Sequence, residues 1–442
     1  MRIAVFVAAF PLVSEVFILR QVTGLIDLGH KVDIYAKERA DASVPMHPEV
    51  REYGLLARTT YVEMPTEARY ELPAWPVTER TWVPGAEKPV WNAARLLRAL
   101  PVFARCALAS PHMTRQALDP SEYGYQARSL SSLYRLSMLL PRRRSRYDLL
   151  HAHFGPTANS FRFARALLKA PLVVSFHGYD FSAWPRAEGA GVYARLFGTA
   201  DAVTVNSEHT RARLAELGCP PGKLHKLPVG VDLEAFPFRE RAPEPGEPVR
   251  VLTVGRLVEK KGLEYSILAV AAIRQTQSAL HYDIVGDGPL RPQLEKLVRE
   301  LGLQDVVTLH GALDGDTVRR MMANAQIFVL ASVTAADGDE EGQGLVLQEA
   351  QASGLPVLAT EHDGFAESII PGRSGFLVPE RDVEGLAERL AWLLERPELW
   401  PQMGRAGREH VEERYDIHKL NRQLEALYAR VISNFQERRR RA

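Results

Sequence analysis

Short apolar runs, each followed by a helical pattern, recur along this chain, and the recurrence breaks off once and then begins again. In the first half the runs are RIAVFVAAF, KVDIYA, DLLHAHFG, PLVVSFHG, AVTVNS and KLHKLPVG. Strands of a parallel sheet read as near-continuous apolar stretches because helices cover both faces, so this alternation predicts a doubly wound α/β domain. Residues 236–248, FPFRERAPEPGEP, carry proline and charge without periodicity and mark a linker. The alternation resumes with VRVLTVG, HYDIVGDG, VVTLHG, IFVLAS and LPVLAT, spaced by helical stretches such as GLEYSILAVAAIRQ. A chain of 442 residues exceeds one ordinary core, and two domains are expected, 1–237 and 238–417. Ligands of such sheets bind beyond the carboxyl ends of the strands, which makes the cleft between the domains the expected site.

Composition narrows the classes. Lys and Arg number 55 against 54 Asp and Glu, so no global charge calls for a nucleic acid or a polyacidic partner. Only Cys106 and Cys219 occur, too few for a disulfide framework, which fits the cytoplasm. The start MRIAVFVAAFPLVSEVF meets Pro11 and Glu15 without a small-residue cleavage pattern, and reads as a strand entering a helix rather than a signal peptide. No apolar run reaches the roughly 18 uncharged residues that span a bilayer. Residues 56–146 fit the alternation poorly. They contain PVWNAARLLRALPVFARCALAS, where Arg95, Arg98 and Arg105 interrupt an apolar helical stretch. Two readings stand, a surface helix packed on its own domain and a helix docked on an anionic membrane face. The runs Arg142–Arg144 with Arg146, and Arg438–Arg441, are open to the same pair of readings: lipid headgroups or solvent.

The chemistry concentrates in EEGQGLVLQEAQASG, residues 340–354. Its glycine-rich start is a loop, while LVLQEAQAS favours a helix that stops at Gly354 and Pro356. Backbone N–H groups at Gly344, Leu345 and Val346 then lack helical acceptors and form a phosphate site. Glu349 lies one turn on, about 6 Å along the axis, suited to the vicinal hydroxyls of a ribose. Glu341, in the preceding loop, is suited to a second sugar. Solvent-facing glutamates in an acidic stretch with Asp337, Asp339 and Glu340 are the plain alternative. In VGRLVEKKG, Arg256 and Lys261 stand at a strand end beside a helix start, two cations suited to a diphosphate, where a single such pair would otherwise be a surface salt bridge.

Taken together, VGRLVEKKGLEYSI, IVGDGPLRPQLEKL, EEGQGLVLQEAQASGLPVLAT and GFAESIIPGRSGFLVP resemble the GT-B glycosyltransferases of family 4, which use nucleotide sugars and retain anomeric configuration. The resemblance implies two doubly wound Rossmann-like domains facing each other across a cleft, with a C-terminal helix at about 418–442 packed back on the first. It implies that Arg256 and Lys261 hold the donor diphosphate, Glu349 the ribose and Glu341 the transferred sugar, with Gly255, Gly286, Gly344, Leu345 and Val346 lining the donor site. FPLVSEVFILRQ, HAHFGPTANS and VVSFHGYDFS are similar to the subgroup that builds exopolysaccharides such as colanic acid. By that likeness His177 faces the donor sugar from the first domain, and Gly230 in LPVGVD contacts the donor through its backbone. The first loop, AAFPLVSE, lacks the Gly-Gly pair common in the family, which leaves Ser14, Glu15 and His153 as acceptor candidates. His151 and His153 are expected on opposite faces of their strand. Gln343 stands where the family commonly has phenylalanine.

No general base stands out. This agrees with a front-face mechanism in which a phosphate oxygen takes the acceptor's proton, and no metal is required. The resemblance implies a UDP- or GDP-sugar donor, with base contacts expected near residues 286–290 and 310–313, and a saccharide or polyprenyl-linked saccharide acceptor. The alternatives are a nucleotide-sugar epimerase of the same fold and a non-catalytic nucleotide-sugar binding protein.

Overall fold

The computed structural model describes residues 1–12, 15–40, 46–62, 93–277, 279–362 and 364–441, and its strands form two separate sheets in which every paired strand runs parallel. The first holds β1 (Arg2–Phe10), β2 (Lys31–Arg39), β3 (Thr59–Tyr61), β4 (Leu149–His153), β5 (Leu172–Ser175), β6 (Ala202–Val205) and β7 (Leu224–Lys226), in the order β3-β2-β1-β4-β5-β6-β7. The second holds β8 (Val249–Val254), β9 (Leu280–Val285), β10 (Val307–Gly311), β11 (Ile327–Leu330), β12 (Val357–Thr360) and β13 (Gly375–Val378), in the order β10-β9-β8-β11-β12-β13. Both orders reverse once, the mark of a doubly wound sheet. The apolar runs read from sequence supply eleven of these strands, and the two beyond them, β3 and β13, are edge strands.

Burial explains why the runs are continuous rather than alternating. Along β11, Ile327 and Val329 enter one apolar cluster with Val251, Ile284 and Trp400, while Phe328 and Leu330 enter another with Leu252, Leu347 and Val357. Successive side chains point to opposite faces, and both faces are covered by helices. In the first sheet β1 plays the same central part, with Ile3 to Val7 all buried.

The chain groups into two units, one of Met1–Val205, Ala212–Lys226 and Asn421–Ala442, the other of Asn206–Arg211 and Leu227–Leu420. Residues 227–237, placed by sequence with the first domain, group with the second. Val231 N–H donates to the Tyr415 carbonyl at 2.7 Å, Ile417 N–H donates to the Val231 carbonyl at 3.0 Å, and Phe236 sits in the second unit's core. The last helix, Ile417–Arg441, runs into the first unit, where Tyr428 Oη lies 2.6 Å from His151 Nδ1. Among the described residues of 56–146 the alternation gives way to helices, including Ala93–Ala109, Pro111–Ala117 and Ser131–Leu139. No helix among the described residues is long and apolar enough to cross a membrane.

Candidate active site

The second sheet reverses between β8 and β11, so the loops leaving those strands diverge and open a crevice at their carboxyl ends. The β8 loop carries Gly255 and Arg256 and then a tight turn, Glu259–Lys261; the β11 loop carries Glu341 and ends at the helix Leu345–Ala352. Across this reversal Lys261 Nζ meets Glu341 Oε2 at 2.5 Å, and Lys260 Nζ meets Asp339 Oδ2 at 3.0 Å. Burial alone would raise the Glu341 carboxyl, but Lys261 and then Lys260 hold it at about 2, so it is ionised. Arg256 is partly exposed in the same crevice. Burial lowers its pKa against the pull of Glu341 and Asp339, and it makes no ion pair or side-chain hydrogen bond with a described residue.

Glycine is demanded at two points of this crevice. Gly286 has φ 139°, and a Cβ there would lie 1.8 Å from the Gly255 carbonyl oxygen, which lets the first two loops of the sheet close on each other. Gly344 caps the helix Leu345–Ala352 at φ 69°, and a Cβ would lie 2.3 Å from the Phe365 ring. The first N–H groups of that helix, at Leu345 and Val346, have no intrahelical acceptor and carry the positive end of its dipole. Glu349 follows one turn later, partly exposed. Gln343 makes two hydrogen bonds, its Oε1 accepting from Val229 N–H at 2.7 Å and its Nε2 donating to the Val229 carbonyl at 2.8 Å. The loop before the Leu345–Ala352 helix is thereby tied to the segment holding Gly230, whose Cβ, if present, would lie 2.6 Å from Ile417 Cα. The two stretches expected near the base also meet, since Gly286 N–H donates to the Gly311 carbonyl at 2.9 Å.

The first sheet reverses between β1 and β4 and gathers a histidine cluster on the corresponding side. His153 Nδ1 lies 3.1 Å from His177 Nε2, and the two rings stack at 5.4 Å between centroids. His151 and His153 do not point to opposite faces. Residues two apart on a strand share a face, and their rings lie 4.3 Å apart. His151 is held on its other sides by Tyr428 and by Ser175, whose Oγ is 2.7 Å from Nε2. Burial depresses all three imidazoles, His151 and His177 to about 3 and His153 well below its ordinary value, so the cluster is neutral. Glu15 lines an apolar pocket with Phe10, Leu12, Ile18 and Leu19, where burial lifts its carboxyl to about 8. Ser14 lies outside the described residues.

Comparison with known proteins settles the family. The profile of glycosyl transferases group 1 matches residues 236–410, and that of Glycosyltransferase Family 4 matches residues 85–235. The putative colanic acid biosynthesis glycosyltransferase WcaL of Salmonella typhimurium is 33% identical over 97% of this chain and 99% of that protein. The chain is a family 4 glycosyltransferase. The amylovoran biosynthesis glycosyltransferase AmsK of Erwinia amylovora is 32% identical over 98% of this chain and 100% of its own length. Among solved structures, Anabaena HepE in complex with UDP and glucose superposes with a TM-score of 0.65 at 17% identity, covering 97% of this chain and 99% of that one. These likenesses assign the glycosyltransferase to the GT-B fold.

Two residues that hold this glycosyltransferase's loops had no signal in the sequence. His362 is buried; its Nε2 accepts from Glu341 N–H at 2.9 Å, and its Nδ1 bonds Glu380, whose Oε2 accepts from Thr334 N–H at 2.9 Å. That pattern assigns the neutral tautomer with the proton on Nδ1. Asp180 accepts from the backbone N–H of His177 at 3.0 Å, Gly178 at 2.9 Å and Gly155 at 3.0 Å, joining the β4 and β5 loops. Burial lifts its carboxyl to about 6 even against those three bonds. Each acts through partners distant in sequence or through backbone N–H groups, and only a spacing anchored to its partner would have marked it.

Proposed function

We propose that this glycosyltransferase is a retaining enzyme. It moves a hexosyl unit from a UDP- or GDP-sugar to a saccharide or polyprenyl-linked saccharide in exopolysaccharide biosynthesis. The relatives named for colanic acid and amylovoran biosynthesis support the pathway class, and the UDP and glucose bound to HepE support a nucleotide-sugar donor. The observation that carries the reading is the Lys261–Glu341 pair across the β8/β11 reversal, beside Arg256 and the start of the Leu345–Ala352 helix. Arg256, Lys261 and the Leu345 and Val346 N–H groups receive the diphosphate, Glu349 the ribose hydroxyls, and Glu341 the hydroxyls of the transferred sugar. His177, neutral, donates or accepts toward that sugar from the first domain.

In the reaction the bond from the sugar's anomeric carbon to the diphosphate oxygen breaks, and its electron pair leaves with the diphosphate. The cations and helix N–H groups stabilise that growing charge, and such preorganised electrostatics usually contribute more to the rate than any other single effect. The acceptor hydroxyl oxygen bonds the anomeric carbon on the same face, and its proton passes to an oxygen of the leaving phosphate. No metal is invoked, because Lys261 and Lys260 already neutralise Glu341 and Asp339 and Arg256 supplies the further cation. Both cysteines are free and buried, in keeping with cytoplasmic work, and a lipid-linked acceptor brings that work to the inner face of the cell membrane.

The test is incubation with UDP- and GDP-hexoses, with and without a polyprenyl-linked saccharide, following nucleotide release and the product's anomeric configuration by NMR. Acceptor-dependent release with retained configuration is expected. Epimerised nucleotide sugar formed from donor alone, without net nucleotide release, would indicate an epimerase, and an inverted product would overturn the front-face mechanism.

A further inference from the structure

The helix Ala93–Ala109 turns one side to the first unit's core and the other, which carries most of its large apolar residues, to solvent. Ala99 and Cys106 are buried and Val102 and Ala109 pack beside them, with Cys106 Sγ donating to the Leu133 carbonyl at 3.8 Å. At about 100° per residue, Leu97, Leu100 and Leu108 fall about 100° or more from Ala99, and Leu96 and Phe103 flank the buried side. Leu97 is 64% exposed, Leu100 56% and Leu108 88%. Eight large apolar side chains stand exposed among the described residues, and five of them belong to this one helix, so the stripe is not the ordinary scatter of surface leucines.

Charge decides what such a stripe meets. Residues 96–147 hold nine arginines and no lysine against two acids, in a chain whose net charge is +1. Asp119 accepts from Ser121 N–H as a helix cap, and Glu122 is taken by Arg162 and Arg195. Arg98 and Arg105 border the apolar stripe, and Arg142, Arg143 and Arg144 stand exposed beyond its end. The two features are joined directly, since Arg143 Nη1 donates to the carbonyl of Ala109, the helix's last residue, at 2.7 Å. An apolar face rimmed by arginine is the pattern of a helix that lies in a lipid interface, with leucines among the acyl chains and guanidinium groups on anionic headgroups.

We infer that the exposed side of the Ala93–Ala109 helix, with Arg142–Arg144, is the surface by which this enzyme docks on an anionic bilayer. The inference builds on the membrane part of the proposed function, but it is measured without donor or acceptor, so a failure of either leaves the other standing. The full chain is floated with vesicles of pure phosphatidylcholine and with vesicles containing phosphatidylglycerol, at low and high salt. Binding to the anionic vesicles alone, weakened by salt, is expected. Leu97→Glu with Leu100→Glu, both at exposed positions, should cut that binding at least tenfold while the melting temperature and transfer to a water-soluble acceptor stay as in the wild type. Arg142→Ala with Arg143→Ala and Arg144→Ala should weaken binding and flatten its salt dependence. Equal binding to both vesicle types, no binding to either, or binding that survives the leucine substitutions overturns the proposal. So does a dimer by light scattering that the leucine substitutions abolish, because a second copy of the chain then occupies the face.

Discussion

Replacing Lys261 with alanine removes a cation that serves two partners. It holds Glu341 at 2.5 Å, with both side chains mostly buried; under the proposed function it also meets the donor diphosphate. A hydrogen bond to a charged group contributes roughly 1.5–3 kcal/mol, so Lys261→Ala is expected to lower kcat/KM about 10- to 150-fold. Stability should fall less than the roughly 3–5 kcal/mol of a fully buried broken pair. Glu341 keeps 19% of its side-chain surface in water, and Lys260 remains close enough to favour its charge. The pair also leaves a pH signature. Glu341 titrates at about 2 in the fold against an ordinary 4.5, so its stabilisation is complete above pH 4.5 and is lost as pH falls toward 2. Lys261→Ala should flatten that acid limb, and Lys261→Arg should restore most of the activity. Nucleotide release under saturating acceptor gives the rate, circular dichroism the fold, and denaturant melts at several pH values the limb. A folded Lys261→Ala enzyme with wild-type turnover would refute the role assigned to this lysine.

Three further outcomes are expected. Glu349→Ala should raise the donor KM roughly 10- to 100-fold, with a smaller change in kcat, because ribose contacts serve binding in the ground and transition states alike; a pure kcat effect in steady-state kinetics would reassign the residue. His362→Phe, which removes the acceptor for Glu341 N–H, should lower kcat several-fold while His362→Gln, able to accept again, recovers part of it; equal loss in both variants would make His362 a packing residue only. The neutral histidine cluster should cost stability in acid. His151 and His177 titrate at about 3 in the fold, so their contribution is full above the ordinary value of 6.5 and declines below it. Each proton withheld is worth about 1.4 kcal/mol per pH unit, or roughly 2 kcal/mol per imidazole at pH 5. Urea melts at pH 7 and pH 5 measure this, and equal stability at both values would contradict the burial argument.

How far the sequence reached depended on whether a signal was local. The apolar runs declared eleven strands, but β3 is TTY, with no aliphatic residue, and β13 is the short edge strand GFLV directly after the turn-forming PGRS. The start of the Leu345–Ala352 helix was legible because a glycine-rich approach and a Gly354–Pro356 stop bracket it. The contact between Lys261 and Glu341 was not legible, since 80 residues separate them and only the strand order brings their loops together. The same holds for His362 and Glu380, which meet Glu341 and Thr334 from loops after β12 and β13. Gln343 shows a different limit. Its position in the loop was clear, but its two bonds to Val229 depend on residues 227–237 grouping with the second unit rather than the first. The assignment of His151 and His153 to opposite faces failed on the two-residue period of a strand, a rule that needs no structure to apply.

The proposed chemistry stands or falls on Arg256, Lys261 and the Leu345–Ala352 helix start forming one diphosphate site. Calorimetry decides this, with UDP and GDP titrated beside the corresponding nucleosides into the wild type and into the Arg256→Ala, Lys261→Ala double variant. At least one diphosphate should bind the wild type far more tightly than its nucleoside, and that advantage should vanish in the double variant. Equal diphosphate affinity in a folded double variant would show that the phosphates are held elsewhere.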